Sequence, residues 1–202
     1  TVEAWVTATK PNGVIAARGG PAQGFAISLS KGRPVFDVRS DGRLTSVAGT
    51  KRIIGGWHHV VGVLGGDKTM RLYVDGQLVG EGKSPGLITS DPAQSLEVGG
   101  DAGSAVGNYD SPNTLTGVVD EFRLYFAEAT EQQVAARFND QAELMDDPIL
   151  VVTFDDGSAR DLSLNRINGN IVNGKPAKGK SGRGIRFAAA KKGRNKNARQ
   201  GN

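Results

Sequence analysis

The chain has no cysteine. Disulfides, thiolate metal sites and a thiol nucleophile are therefore excluded, although the compartment is not fixed by that absence. No apolar run approaches the roughly 20 residues that a spanning helix needs, so no membrane span is expected. Histidine occurs only as His58 and His59. A Ser–His–Asp system would need one of them beside a nucleophile in a cleft. Instead both fall mid-strand next to Trp57 with opposite facings, and the inward one reads as a hydrogen-bonded core histidine. Acidic residues are missing from one whole region. Ten of the 25 Lys and Arg lie between Lys175 and Gln200 without a single Asp or Glu, and the other 15 share residues 1–174 with all 21 acids. A basic segment can bind polyanions, but this one lacks the interleaved aromatics of a base-stacking surface. It reads as a solvated tail or linker, with no nucleic-acid partner.

What is abundant is glycine, at 29 of 202 residues without a collagen period. That much glycine means many tight turns, hence many short strands. Thr1–Val6 alternates, with Val2, Ala4 and Val6 on one side and Trp5 opposite. Val14–Ala17, Phe25–Leu29, Pro34–Arg39 and Trp57–Leu64 follow, separated by Gly19-Gly20, Lys31-Gly32 and Gly55-Gly56. Met70–Val74 and Gln77–Val79 flank Asp75-Gly76, a two-residue hairpin signal. Ser95–Val98 and Val118–Phe126 bracket a polar loop from Gly99 to Thr116. One short helix is signalled by Thr130 as cap, Gln133 three residues on, and Val134 and Phe138 on one face. Ile149–Phe154 and Gly184–Ala188 again read as strands. The pattern predicts an all-β, two-sheet antiparallel jelly-roll sandwich with one short helix.

Three stretches in this order resemble the laminin G-like, concanavalin A-like sandwich family, which includes pentraxin-like domains. They are Thr1-Val2-Glu3-Ala4-Trp5-Val6, then Gly56-Trp57-His58-His59-Val60 running into Arg71–Gly76, then Gly117–Tyr125 followed by the helix from Ala129 to Phe138. The resemblance spans residues 1–140 and implies two curved antiparallel sheets, an extracellular, periplasmic or cell-surface setting, and glycan or protein binding. One departure stands out. Family members begin with strands similar to Ile149–Phe154 and Gly184–Phe187, here found at the C-terminal end. Residues 146–190 either begin a truncated second copy or complete the first by circular permutation. A sandwich lacking its opening strands exposes core and unpaired edges, and a 45-residue fragment buries too little to fold alone. Permutation is therefore the expectation, giving one domain over residues 1–190 and a basic tail or linker over 191–202.

Glucanases of this architecture carry Glu-x-Asp-x-x-Glu on one strand, and no such string occurs here. Asp120 and Glu121 are adjacent and are expected on opposite faces. The chain reads as a non-enzyme, with a glycoside hydrolase as the remote alternative. Asp120 and Asp155 sit in or at the end of apolar strands, where an unpaired carboxylate is costly, and Asp161 follows in an Asp-rich loop. The resemblance offers a structural calcium joining them, with Asp156 as a substitute for Asp155; the other use is capping of loop amides. In the loop from Asp101 to Asn113, Tyr109 with Asn108, Asp110 and Asn113 has the makeup of a sugar site, an aromatic face beside amide and carboxylate groups. An ordinary solvated loop is the alternative. Trp5 and Trp57 are assigned to the core. The expected role is carbohydrate or glycoprotein recognition by an accessory or adhesion module, itself a fragment of a larger multidomain protein. The alternative is a protein–protein interaction domain without a glycan site.

Overall fold

The computed structural model describes residues 1–139 and 144–188, so the segment expected as a tail at 191–202 lies outside the described residues. The chain opens with β1 (Val2–Ala8), β2 (Gly13–Gly19), β3 (Gly24–Ser30), β4 (Arg33–Ser40) and β5 (Arg43–Ala48). Then come β6 (His58–Leu64), β7 (Thr69–Val74), β8 (Gln77–Lys83) and β9 (Leu96–Val98). Two short strands, β10 (Gly100–Asp101) and β11 (Asn113–Thr114), precede β12 (Gly117–Leu124) and the helix α1 (Glu131–Phe138). The C-terminal part supplies β13 (Leu150–Val152), β14 (Lys175–Lys178) and β15 (Arg183–Phe187).

The strands form an antiparallel sandwich. One sheet runs β14-β15-β12-β1-β6-β7-β8 with β13 also on β12; the other runs β5-β4-β3-β2-β9. Three two-residue turns, Lys31-Gly32, Asp41-Gly42 and Asp75-Gly76, have positive φ at both positions. That is the type I′ geometry that matches strand twist, and it fixes each hairpin's register. Alternation along β1 sends Val2, Ala4, Val6 and Ala8 into the main core with Ile27, Phe36, Leu72 and Phe122 from both sheets. The sheets approach so closely there that a methyl on Gly62 of β6 would lie 2.7 Å from the Phe36 ring of β4.

Two smaller clusters cover the outer faces. Val61, Val63, Tyr73, Tyr125 and Val134 pack under α1, whose Thr130 and Gln133 form the capping box read from the sequence. On the far side Val14, Ala17, Ala26 and Val106 pack with Tyr109.

Strand β12 departs from the sequence reading. Its register with β1 shifts between Trp5↔Asp120 and Glu3↔Arg123, and Glu121 has φ 51. This β-bulge puts two residues opposite one and breaks the alternation. Asp120 and Glu121 therefore turn to the same, outer side instead of opposite faces. Asp120 accepts from the amides of Lys180 and Ser181, and Glu121 lines a pocket with Lys180 and Ser181. The bulge also divides the strand's free edge. β13 pairs with Phe122–Leu124, and β15 pairs with Gly117–Val119. Trp57 is a second correction: it precedes β6, is half-buried and belongs to no core cluster, whereas Trp5 is buried as expected.

Candidate functional site

The loop between β9 and β12 is built onto the outer face of the five-stranded sheet. Its stem is the β10–β11 ladder, Gly100↔Thr114 and Asp101↔Asn113. Glu97 accepts from the Ala102 amide at 2.7 Å, and Gln94 from the Ser104 amide at 2.8 Å. From the sheet, Arg39 Nε donates to the Val106 carbonyl at 2.8 Å. The Tyr109 hydroxyl donates to Asp101 Oδ2 at 2.8 Å, and burial together with the nearby Asp101 charge pushes its phenol above the usual range. The ring packs on Val14, Ala17, Ala26 and Val106. Of the residues expected to bind ligand, Tyr109 thus anchors the loop, half-buried. Asn108 and Asp110 flank it in the exposed turn, and Asn113 lies half-buried in β11.

Beneath this loop is a carboxylate that the sequence does not advertise. Asp37 of β4 stands opposite Ala26 in the ladder and is only 1% exposed. Ser46 donates to its Oδ1. Its Oδ2 lies against Gly107, where a methyl group would overlap it. Burial, the dominant cause, pushes its pKa up to about 6 against the hydrogen bond from Ser46 and the Arg39 charge. A carboxylate, a guanidinium and a serine hydroxyl are thus aligned under a lid of backbone.

The three acids considered for calcium do not converge on a cation. Asp161, fully buried, takes the amides of Val151 and Ser163 on one oxygen and the Ile167 amide and Ser163 hydroxyl on the other. Asp120 takes Glu121, Lys180 and Ser181 amides. Asp155 takes the Arg183 amide at 3.0 Å. Each N–H turns a positive hydrogen toward the oxygen that a calcium ion would need. Among the described residues no group of three or more His, Cys, Asp or Glu is placed to hold a metal. A calcium shared by these acids does not fit this arrangement; they cap loop amides.

A laminin G family model, described as the concanavalin A-like lectin/glucanases superfamily, matches residues 1–135. The chain belongs to this superfamily. Curated protein sequences give no match. Among solved structures, a proposed carbohydrate-binding protein of Bacteroides ovatus is 18% identical with a TM-score of 0.60, covering 94% of this chain and 53% of that one. The native heptameric SAP-like pentraxin of Limulus polyphemus is 19% identical with a TM-score of 0.52, covering 67% of each chain. The CBM40 of a Ruminococcus gnavus IT-sialidase, bound to α2,3 sialyllactose, is 13% identical with a TM-score of 0.53, covering 68% of this chain and 80% of that one. At these identities the likeness is one of fold.

This superfamily member also carries a buried ionic network that sequence reading missed. Glu3 and His59 are both fully buried on the outer face of the larger sheet, with Glu3 Oε2 2.6 Å from His59 Nε2. Tyr125 donates to Glu3 Oε1 at 3.2 Å. Arg137 of α1 stands 3.5 Å from Glu3, while Arg123 pairs with Glu121 at 2.7 Å. Burial works to raise the Glu3 pKa, but His59 and the two guanidiniums outweigh it and hold the carboxyl below its ordinary value. The available signal was a charged residue inside an apolar strand. His59 is the hydrogen-bonded, buried histidine the sequence implied, and His58 instead meets Asp75 at 2.8 Å.

Proposed function

We propose that the chain is a carbohydrate- or glycoprotein-binding module, not an enzyme, and that it recognises its ligand through the turn around Tyr109. The observation that carries this reading is the construction of that turn. A ladder, four hydrogen bonds and a packed aromatic ring hold it rigid, while Asn108 and Asp110 stay in solvent. Preorganised polar groups lose little entropy on binding a hydroxyl-rich ligand. Membership of a lectin-containing superfamily supports it. Residues 144–188 complete the sandwich in permuted order, as a module of a larger secreted, periplasmic or surface protein. Among the described residues no helix is long and apolar enough to cross a membrane.

A glycan array probed with the whole chain, in calcium and again in chelator, tests the reading. Binding that Asn108→Ala with Asp110→Ala abolishes, equal in both buffers, is expected. An empty array, with a protein ligand recovered that is indifferent to enzymatic deglycosylation, favours the protein-interaction role instead.

A further inference from the structure

The hairpin of β14 and β15 sets like charges against each other. In its register Lys175 lies opposite Arg186, and Lys178 opposite Arg183. Like charges directly opposite destabilise a ladder. All four are exposed, as is Lys180 in the connecting turn, and none of the five enters any ion pair with a described acid. Charge on an edge strand does discourage edge-to-edge association. One lysine achieves that, whereas two facing cation pairs exceed the need.

The cations also have a direction. Gly184 faces the Val118 and Asp120 side chains, so Arg186, two residues on, shares that outer face, with Lys175 beside it. On the same side Lys180 Nζ lies 4.4 Å from the Trp5 ring centre. It stands at the mouth of a pocket of about 280 Å³ lined by Trp5, Glu121, Arg137, Lys180 and Ser181. Both oxygens of Asp120 are taken by amides, and Glu121 is paired with Arg123 and Arg137. Neither of these two carboxylates, the ones beside the hairpin on this face, pairs with Lys175, Arg186 or Lys180.

We propose that this outer face of the β14–β15 hairpin is a docking ridge for an acidic polysaccharide. Its carboxylate or sulfate groups meet Lys175, Arg186 and Lys180, and its hydroxyls reach Ser181 and Glu121 in the pocket. Nucleic acid is the poorer fit because base stacking needs open aromatic faces, and Phe187 and Trp5, the aromatics at the ridge, are buried. The ridge is distinct from the Tyr109 turn, so the two readings fail separately.

The test is affinity electrophoresis of the full chain through dextran sulfate, polygalacturonate, uncharged dextran and single-stranded DNA over a range of salt. Retardation by at least one acidic polysaccharide and not by dextran is expected. In Lys175→Gln with Arg186→Gln the slope of log affinity against log salt should become shallower by roughly 1.5–2, following the loss of two charge contacts. The melting temperature of that variant should be equal or higher, because the repulsion is relieved. Three results would overturn the proposal: acidic polymers held no better than dextran, a double variant retarded like the wild type, or DNA bound more tightly than both polysaccharides. The second would move the binding to the five Lys and Arg of residues 189–202.

Discussion

Asp120 shows how one carboxylate ties a distant segment to the body. Its Oδ2 collects the amides of Lys180 and Ser181, 60 and 61 residues away in sequence. Asp120→Ala leaves those donors without a partner and should destabilise the fold by about 1–3 kcal/mol. Thermal melts should show the same loss in calcium and in chelator. A wild-type melting temperature that rises with calcium, with the rise lost in the variant, would restore a metal staple. A second expectation concerns pH. Burial holds both Asp37 and Asp120 at about 6, against an ordinary value of 3.8; at Asp120 it outweighs the three amides, and Glu121 adds repulsion. The folded state then binds protons more tightly than the unfolded chain, so the stability from these groups is full below about pH 4 and falls as pH rises to about 6. Asp161 and Glu3 act oppositely. Their folded values lie below the ordinary ones, so their contribution is lost as pH falls below about 4. Denaturant titrations should give declining stability from about pH 4 to 6, and Asp37→Asn should flatten the decline. An unaltered slope in that variant would remove Asp37 from the account.

Among the elements, those specified locally were legible in the sequence. Alternation found β1, Asp75-Gly76 found the β7–β8 hairpin, and Thr130 with Gln133 found the start of α1. β5 was missed although Asp41-Gly42 carries the same turn signal. β14 was missed because Lys-Pro-Ala-Lys has the makeup of a loop; Pro and Lys are tolerated there because it is an edge. The bulge at Glu121 depends on how β12 meets its partners, which no local pattern encodes. The same holds for the sites. Asn108 and Asp110 were legible as exposed polar residues, whereas Asp37 and Glu3 occupy outward positions that are ordinarily wet. A loop covers one and α1 helps to cover the other, and neither cover can be read from the strand itself. Glu3→Ala removes the anion between His59, Arg123 and Arg137, leaving His59 without its acid and Glu121 alone to face both buried guanidiniums, and should cost about 3–5 kcal/mol. Glu3→Gln, which keeps the volume, should cost less. Equal and small losses in chemical denaturation would mean that α1 is held by its apolar contacts alone.

At the scale of the whole molecule, the order of the strands raises a question of distance. β15 and β1 flank β12 and run parallel, one strand apart. Phe187, however, pairs with Gly117, while Val2 pairs with Leu124 at the other end of the same strand. Joining the end of β15 to the start of β1 therefore means crossing roughly 23 Å, at about 3.3 Å per strand residue. A link of two or three residues does not reach; at least about seven extended residues are needed. Residues 189–202 supply fourteen. A chain rearranged to run from Leu144 through Asn202 directly into Thr1 and on to Asn139 should therefore fold, with one cooperative transition near that of the parent. Cutting the same link to three residues should prevent it. Deleting 144–202 should be worse still. It strips β13 and β15 from β12 and removes Leu150, Val152, Phe154, Ile185 and Phe187 from the core, leaving an open apolar edge prone to aggregation. Circular dichroism melts of the three variants decide the matter. If the deletion melts cooperatively at the parent's temperature, residues 144–188 are no part of this sandwich. If it fails while the rearranged chain folds, the strands that resemble the family's opening complete the domain from the wrong end of the sequence.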